Sequence, residues 1–98
     1  YTPCPIFISD NNIKHIQKAH PEDYNNYFNK LSDIINTPDY VGINPKDKSL
    51  QLIKVFDSNV LVALRVTSSN VMFVRSLYTI KPEKLNAYIA SERLFKNS

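Results

Sequence analysis

The side chains with the clearest chemical capacity in this chain are two histidines and two arginines. His15 and His20 lie near the N-terminus, and Arg65 and Arg75 interrupt two apolar segments. Histidine can take or give a proton near neutral pH, so either imidazole can act as a general acid or base. Arginine stabilises charge that builds on a phosphate. Together these residue types could cleave RNA without a metal ion, by removing the 2′-OH proton and protonating the leaving 5′-oxygen.

Three further residues could assist that chemistry: Lys54, Ser76 and Tyr78. All seven candidates also have a structural interpretation. A helical histidine is commonly solvated or caps its helix, and a lysine in an alternating strand commonly faces solvent. Serine is tolerated in a strand as a small residue, tyrosine often lies at a rim, and arginine can pair with a carboxylate. The residue types alone leave both interpretations open.

Residues 60–78 predict a β-hairpin at the centre of a sheet. Two apolar runs, VLVALRV and VMFVRSLY, flank the polar turn TSSN. Because nearly every position of both runs is apolar, both faces of these strands should be largely covered. An arginine in such a strand is costly unless it meets an anion or points into a wet cleft. Arg65 and Arg75 are therefore candidates for a ligand site.

The length of the hairpin turn determines which residues share a face with Arg65, because a one-residue slip flips the strand. An even turn places Arg65 with Met72, Val74, Ser76 and Tyr78. An odd turn places it with Phe73, Arg75 and Leu77. We favour an even turn, formed by residues 68–69 or by residues 67–70.

Helical periodicity and proline positions predict three helices, over residues 11–19, 21–36 and 82–96. Ser9 or Asp10 offers an N-cap for the first helix. The second helix has the clearest apolar face, formed by Tyr24, Tyr27, Phe28, Leu31, Ile34 and Ile35. We interpret that face as core, with Leu31 as its clearest core position.

The two histidines belong to the first helix and its end. Pro21 disfavours helical geometry at His20 and can turn that side chain toward the sheet. His15 lies next to Ile16, which we expect to face inward. These two arguments favour different histidines, so both remain candidates.

The strands complete the predicted fold. Residues 40–43 and 50–56 precede the hairpin as strands, and residues 5–8 form an edge strand or a packing arm. We therefore predict a single α+β domain over residues 1–98, with N-terminal helices packed on one face of a four-stranded antiparallel sheet and a C-terminal helix that closes it.

Composition excludes several classes of site. The 98 residues, 43% of them hydrophobic, suffice for one core. The single cysteine, Cys4, excludes an internal disulfide and cysteine-based zinc sites, and the single glycine, Gly42, excludes a glycine-rich phosphate loop. Two histidines without a carboxylate at ligand spacing argue against a metal site, so we expect no metal or cofactor. The net charge of +3 favours an anionic partner.

Neither a membrane-spanning run nor a signal peptide is visible in the sequence, so we expect no membrane partner. The chain begins at Tyr1 rather than at methionine. We therefore expect it to be one domain of a longer protein.

Five stretches together resemble the barnase, EndoU, colicin and RelE-like nuclease superfamily, in its phage- and toxin-associated branches. They are HIQKAHPED, LSDIINTPDYVGIN, LQLIKVF, VLVALRV and FVRSLYTIKPEKLNAYI, and the resemblance covers about residues 6 to 95. The most telling part is the helix end IINTPDYV, which passes into a strand meander and follows a histidine-bearing helix.

The resemblance implies a metal-independent endoribonuclease that leaves a 2′,3′-cyclic phosphate. It implies His15 or His20 as the acid or base, Arg65 or Arg75 as a phosphate contact, and a role for the Ser76 hydroxyl. Contacts to substrate are expected from Lys54, Arg75 and Tyr78.

The same resemblance implies a toxin-type domain, carried at the C-terminus of a larger protein, that acts on RNA in the cytoplasm and has an immunity protein or antitoxin as its partner. The alternative is a non-catalytic module of a phage or mobile-element protein that binds RNA or a protein. A purely structural domain is the third interpretation. The feature that separates the first two is whether His15 or His20 converges with Arg65 over the sheet.

Overall fold

A computed structural model describes residues 6–69 and 71–97. The elements follow in the order β1 (Ile6–Phe7), α1 (Asp10–Ala19), α2 (Pro21–Tyr27), a 3-10 turn (Phe28–Lys30), α3 (Leu31–Asn36), β2 (Tyr40–Ile43), β3 (Leu50–Val55), β4 (Asn59–Val66), β5 (Met72–Ile80), α4 (Pro82–Ala90) and β6 (Leu94–Lys96). The expectations for Cys4, for Pro5 in the first strand and for Asn70 in the hairpin turn fall outside the described residues.

The strands form one mixed sheet in the order β1-β5-β4-β3-β2-β6. All neighbouring strands are antiparallel except β1, which runs parallel to β5. The α+β class is confirmed, and the four predicted strands are present with ends that differ by up to two residues. The predicted sheet was too small, because β1 and β6 extend it at both edges.

The sheet separates two apolar layers. The helix face, which carries Leu52, Val62, Leu64 and Leu77, is packed against Ile16 of α1 and Ile34 of α3. The opposite face, which we call the open face, carries Gln51, Ala63, Arg65, Ser76 and Tyr78. Leu85 of α4 packs on the open face with Ile53 and Leu61. The N-terminal helices therefore lie on one face of the sheet, and the C-terminal helix α4 covers part of the other.

The first helix is confirmed, whereas the predicted second helix is interrupted. Ser9 caps α1, since its Oγ accepts a hydrogen bond from the Asn12 N–H at 3.1 Å. Residues 21–36 form α2, the 3-10 turn and α3 rather than one helix. Three asparagines lie in or beside the break, at positions 25, 26 and 29, and their side chains compete with helical hydrogen bonding. The break leaves Ile34 fully buried and Leu31 only half-buried, so the choice of Leu31 as the clearest core position was wrong.

The C-terminal helix ends six residues earlier than predicted. It stops at Ala90, and Glu92 adopts a positive φ of 62°, which turns the chain into β6. Strand β6 lies beside β2, where Leu94 is opposite Gly42. A Cβ at Gly42 would lie 1.9 Å from the carbonyl oxygen of Arg93, so a glycine is needed for this close approach.

The hairpin turn is odd rather than even. Strand β4 ends at Val66 and β5 begins at Met72, and Arg65 lies opposite Phe73. A hydrogen bond of 2.9 Å from the Thr67 N–H to the Val71 carbonyl closes the loop. The predicted even turn was therefore wrong.

A β-bulge offsets the odd turn. Between the pairs Leu64–Val74 and Ala63–Ser76, Arg75 has no partner on β4. Such an extra residue reverses the alternation of the strand beyond it. Ser76 therefore lies on the open face, where the even turn would also have placed it.

Burial predicts a clear difference between two positions of α3. Ile34→Ala should lower the free energy of unfolding by about 2–5 kcal/mol, because Ile34 is 0% exposed and no solvent can fill its place. Leu31→Ala, at a half-buried site, should lower it by clearly less. Chemical denaturation of both variants measures this. Equal losses for the two variants would show that the break at residues 28–30 does not exist in solution.

Candidate functional site

Side-chain hydrogen bonds hold helices α1 and α2 against the edge of β5 beyond its pairing with β1. Strand β1 pairs only with the first two residues of β5, so the rest of that edge needs other hydrogen-bond partners. The Asn12 Nδ2 atom of α1 donates to the Val74 carbonyl at 2.8 Å. The Asp23 carboxylate of α2 accepts from the Thr79 N–H at 3.0 Å and from its Oγ1 at 3.2 Å. These contacts fix the junction between the two helices beside the sheet.

That junction carries His20 onto the open face. The His20 N–H donates to the Ile16 carbonyl at 2.8 Å and ends α1, while Pro21 begins α2. The imidazole stacks on the ring of Tyr78, with 5.2 Å between ring centroids. His15 is exposed and makes no side-chain hydrogen bond or ring contact within the described part of the chain. The geometry therefore brings one of the two candidate histidines, His20, to the candidate site.

Tyr78 is suited to donate a hydrogen bond rather than to accept a proton. Its side chain is half-buried between His20 and the core beneath α4. Burial raises the pKa of Tyr78 above its ordinary value of 10.0, and nearby Tyr88 raises this pKa further. The phenol therefore keeps its proton at neutral pH.

The two arginines line an open pocket of about 720 Å³ at the other end of the open face. Its lining residues are Asn12, Asp47, Arg65, Thr67, Phe73 and Arg75. Arg75 forms an ion pair with Asp47, with 2.9 Å from Nη1 to Oδ2. Arg65 is exposed, and no carboxylate within residues 6–69 and 71–97 pairs with it. Arg75 therefore has the carboxylate partner that the structural interpretation gave to both arginines. Arg65 is the candidate whose charge is available for a ligand.

Asp47 brings a fixed negative charge to this pocket. It lies in the turn between β2 and β3, where its Oδ1 accepts from the Ser49 N–H at 3.0 Å and from the Ser49 Oγ at 2.7 Å. These hydrogen bonds, with a further contribution from Arg75, lower the pKa of Asp47 below its ordinary value of 3.8. The carboxylate is therefore ionised throughout the neutral range.

The His20 imidazole and the Arg65 guanidinium are separated along the sheet. Tyr78 lies opposite Leu61, four residues before Arg65 on β4. A rise of about 3.3 Å per residue places the two positions roughly 13 Å apart along the strand. Ser76, opposite Ala63, lies between them on the same face. His20 and Arg65 thus share a face and lie near its two ends.

Lys54 is not brought to this face. Its Nζ donates to the Thr37 carbonyl at 2.7 Å and contacts the Thr37 Oγ1 at 3.2 Å. Thr37 is the C-cap of α3, where a lysine commonly satisfies free carbonyl groups. Lys54 therefore stabilises the end of a helix on the helix face.

Two residues at the open face, Gln51 and Arg93, were not among the candidates predicted from the sequence. Gln51 is 1% exposed, and its Oε1 accepts a hydrogen bond from the Arg93 Nε at 2.9 Å. A glutamine inside an apolar strand was a usable signal, because a buried amide needs a partner. No comparable signal existed for Arg93, because the predicted helix over residues 82–96 places it in the last turns.

Neither a metal centre nor a membrane-spanning helix is found in the described part of the chain. Within residues 6–69 and 71–97, no three histidine, cysteine or acidic side chains come together in a way that could hold a metal ion. None of the helices in that part of the chain has the length and hydropathy to cross a bilayer.

An imidazole, a phenol, a hydroxyl and a guanidinium thus lie on one face of the helix-backed sheet of this small α+β domain. The chain belongs to the family described as phage-Barnase-EndoU-ColicinE5/D-RelE like nuclease3, which it matches over residues 1–87. The resemblance to that superfamily is therefore confirmed. No curated protein and no solved structure matches this chain. Tyr88 and Arg93 lie beyond the matched residues.

The Asp23–Thr79 contact should determine where His20 lies. Asp23→Ala leaves the Thr79 N–H without its partner, and we expect a loss of about 1–3 kcal/mol in the free energy of unfolding. We also expect the His20 ring protons to lose the ring-current shift produced by Tyr78, which proton NMR measures. Glu22→Ala, an exposed neighbour, is the matched control. An unchanged His20 signal in Asp23→Ala would show that other contacts hold the imidazole.

Proposed function

We propose that this domain is a metal-independent endoribonuclease that cleaves RNA by attack of the 2′-OH on the adjacent phosphate. The observation that carries the proposal is the shared face of His20 and Arg65. His20 supplies an imidazole that can act as a general base, and Arg65 supplies a cation that no carboxylate within the described residues neutralises. Membership of a nuclease-like family supports the same reaction class.

In the proposed reaction, His20 takes the proton from the 2′-OH as the 2′-oxygen bonds to phosphorus. The bond from phosphorus to the 5′-oxygen then breaks, which leaves a 2′,3′-cyclic phosphate and a free 5′-OH. The chain has only two histidines, and His15 lies elsewhere, so the leaving oxygen takes its proton from water. Arg65 binds the phosphate oxygens, and the Ser76 hydroxyl and the Tyr78 phenol donate hydrogen bonds to them.

The alternative is a module that binds RNA without cleaving it. The separation of roughly 13 Å along the strand between Tyr78 and Arg65 favours this alternative, because groups at the two ends could contact different nucleotides. Incubation with total RNA in the presence of a chelator distinguishes the two. Cleavage that survives the chelator supports the enzyme, and intact RNA of retarded mobility supports the binding module.

In either case we propose that an immunity protein or antitoxin acts by covering the open face.

The two histidines provide a matched pair of variants. His20→Gln keeps hydrogen bonding but removes proton transfer, so it should slow cleavage by about 10²–10⁴-fold. His15→Gln should leave the rate unchanged. Equal rates for His20→Gln and the unaltered protein, with circular dichroism unchanged, would contradict the role given to His20.

The two arginines should respond differently to replacement by lysine. Arg65→Lys keeps the charge but loses the planar, bidentate guanidinium, so it should weaken cleavage or RNA binding without unfolding the domain. Arg75→Lys is the control, because lysine can still pair with Asp47. RNA binding, cleavage and thermal unfolding are measured for both variants. If Arg65→Lys is largely unfolded but its folded fraction binds and cleaves RNA at the normal level, Arg65 has a structural role instead.

A further inference from the structure

The guanidinium of Arg93 is held in place by several contacts. Its Nε donates to the Gln51 Oε1 at 2.9 Å, and its Cζ lies 4.0 Å from the centroid of the Tyr88 ring. The Arg93 N–H also donates to the Tyr88 carbonyl at 2.9 Å. A guanidinium fixed in this way loses little conformational freedom when it binds a ligand.

Two residues of the sheet beneath Arg93, Gln51 and Gly42, determine where it lies. Gln51 is 1% exposed and lies opposite Gly42 on one side and Ala63 on the other. Gly42 allows the backbone of Arg93 to lie directly on β2, where any Cβ would be 1.9 Å from the Arg93 carbonyl oxygen. Two specific residues of the sheet, a buried amide and the chain's only glycine, therefore determine the position of one half-buried cation.

No carboxylate within the described part of the chain neutralises the charge of Arg93. The ion pair found within residues 6–69 and 71–97 joins Arg75 to Asp47, and Arg93 has no carboxylate partner there. In the same residues, the Arg93 side chain donates only its Nε, which leaves both terminal amino groups available. The Lys84 Nζ lies 5.7 Å from the centroid of the same Tyr88 ring and adds a second positive charge. Two free amino groups in the plane of a fixed guanidinium match the oxygens of a phosphate.

Arg93 also lies across the open face from the His20–Tyr78 stack. Gln51 and Ser76 are separated by β4 alone, which corresponds to about 10 Å between their strands. Arg93 and Lys84 are near enough to Tyr78 that both oppose the rise of its pKa. A nucleic-acid strand that runs across the sheet from Tyr78 therefore meets Arg93.

We propose that Arg93, supported by Gln51 and Tyr88, forms a second phosphate-binding subsite that holds an RNA phosphate next to the one cleaved. This inference rests on the proposed ribonuclease function for its choice of ligand. It adds a binding residue in a segment outside the residues matched to the family, and it gives the RNA a direction across the strands.

The test measures binding rather than cleavage. A short single-stranded RNA with 2′-O-methyl groups cannot undergo 2′-OH attack, so its affinity can be measured over a series of salt concentrations. For Arg93→Gln we expect weaker binding for every RNA sequence, and a slope of log K against log salt that is shallower by about 0.7, the value for one phosphate contact on a single strand. Arg93→Lys keeps the charge but loses the Nε contact to Gln51, so it should bind with intermediate affinity.

Lys30→Gln is the matched control, because it removes one positive charge from an exposed position in the 3-10 turn. It should leave the slope unchanged. Unaltered slopes for Arg93→Gln, with circular dichroism as in the parent protein, would overturn the subsite, as would failure of the parent protein to bind this RNA. Cleavage of unmodified RNA is scored separately. Cleavage with an unaltered slope rejects the subsite alone, and a shallower slope without cleavage rejects the ribonuclease alone.

Discussion

The unpaired edge of β5 is the constraint on which the candidate site depends. Strand β1 covers only the start of that edge, and a strand's polar groups left without partners in a partly buried place destabilise the fold. Asn12 and Asp23 satisfy the Val74 carbonyl and the Thr79 N–H in place of a strand. Because those two side chains belong to α1 and α2, the same contacts fix the junction between the helices. His20 lies at that junction, so the edge of the sheet positions the imidazole.

The second determinant is the bulge at Arg75. Without it, the odd turn would turn Ser76 away from Arg65, and the hydroxyl would lie among the apolar side chains of the helix face. The bulge returns Ser76 to the open face and frees Arg75 to reach Asp47 in the turn before β3. One extra residue in β5 therefore determines which polar side chains of the hairpin share the open face.

Much of the framework could be predicted from local pattern, because alternation and caps are local properties. The strands over residues 40–43 and 50–55 and the helix after Ser9 follow from them. Other features depend on partners far away in the chain. Strand β6 forms because Leu94 can pack beside Gly42, and the choice between His15 and His20 depends on contacts from α2 to β5. No local signal marks such pairs, and none marks a bulge inside a continuous apolar run.

The ion pair of the open pocket explains why its two arginines differ. Asp47 is ionised at neutral pH and pairs with Arg75, and both side chains are well exposed, at 51% for Arg75 and 35% for Asp47. Exposed ion pairs contribute little net stability, so this pair mainly determines where the two charges lie. Asp47 also accepts hydrogen bonds from Ser49, which fix its carboxylate in the turn before β3. The fixed carboxylate offsets the charge of Arg75, whereas no carboxylate within residues 6–69 and 71–97 pairs with Arg65 in the same pocket.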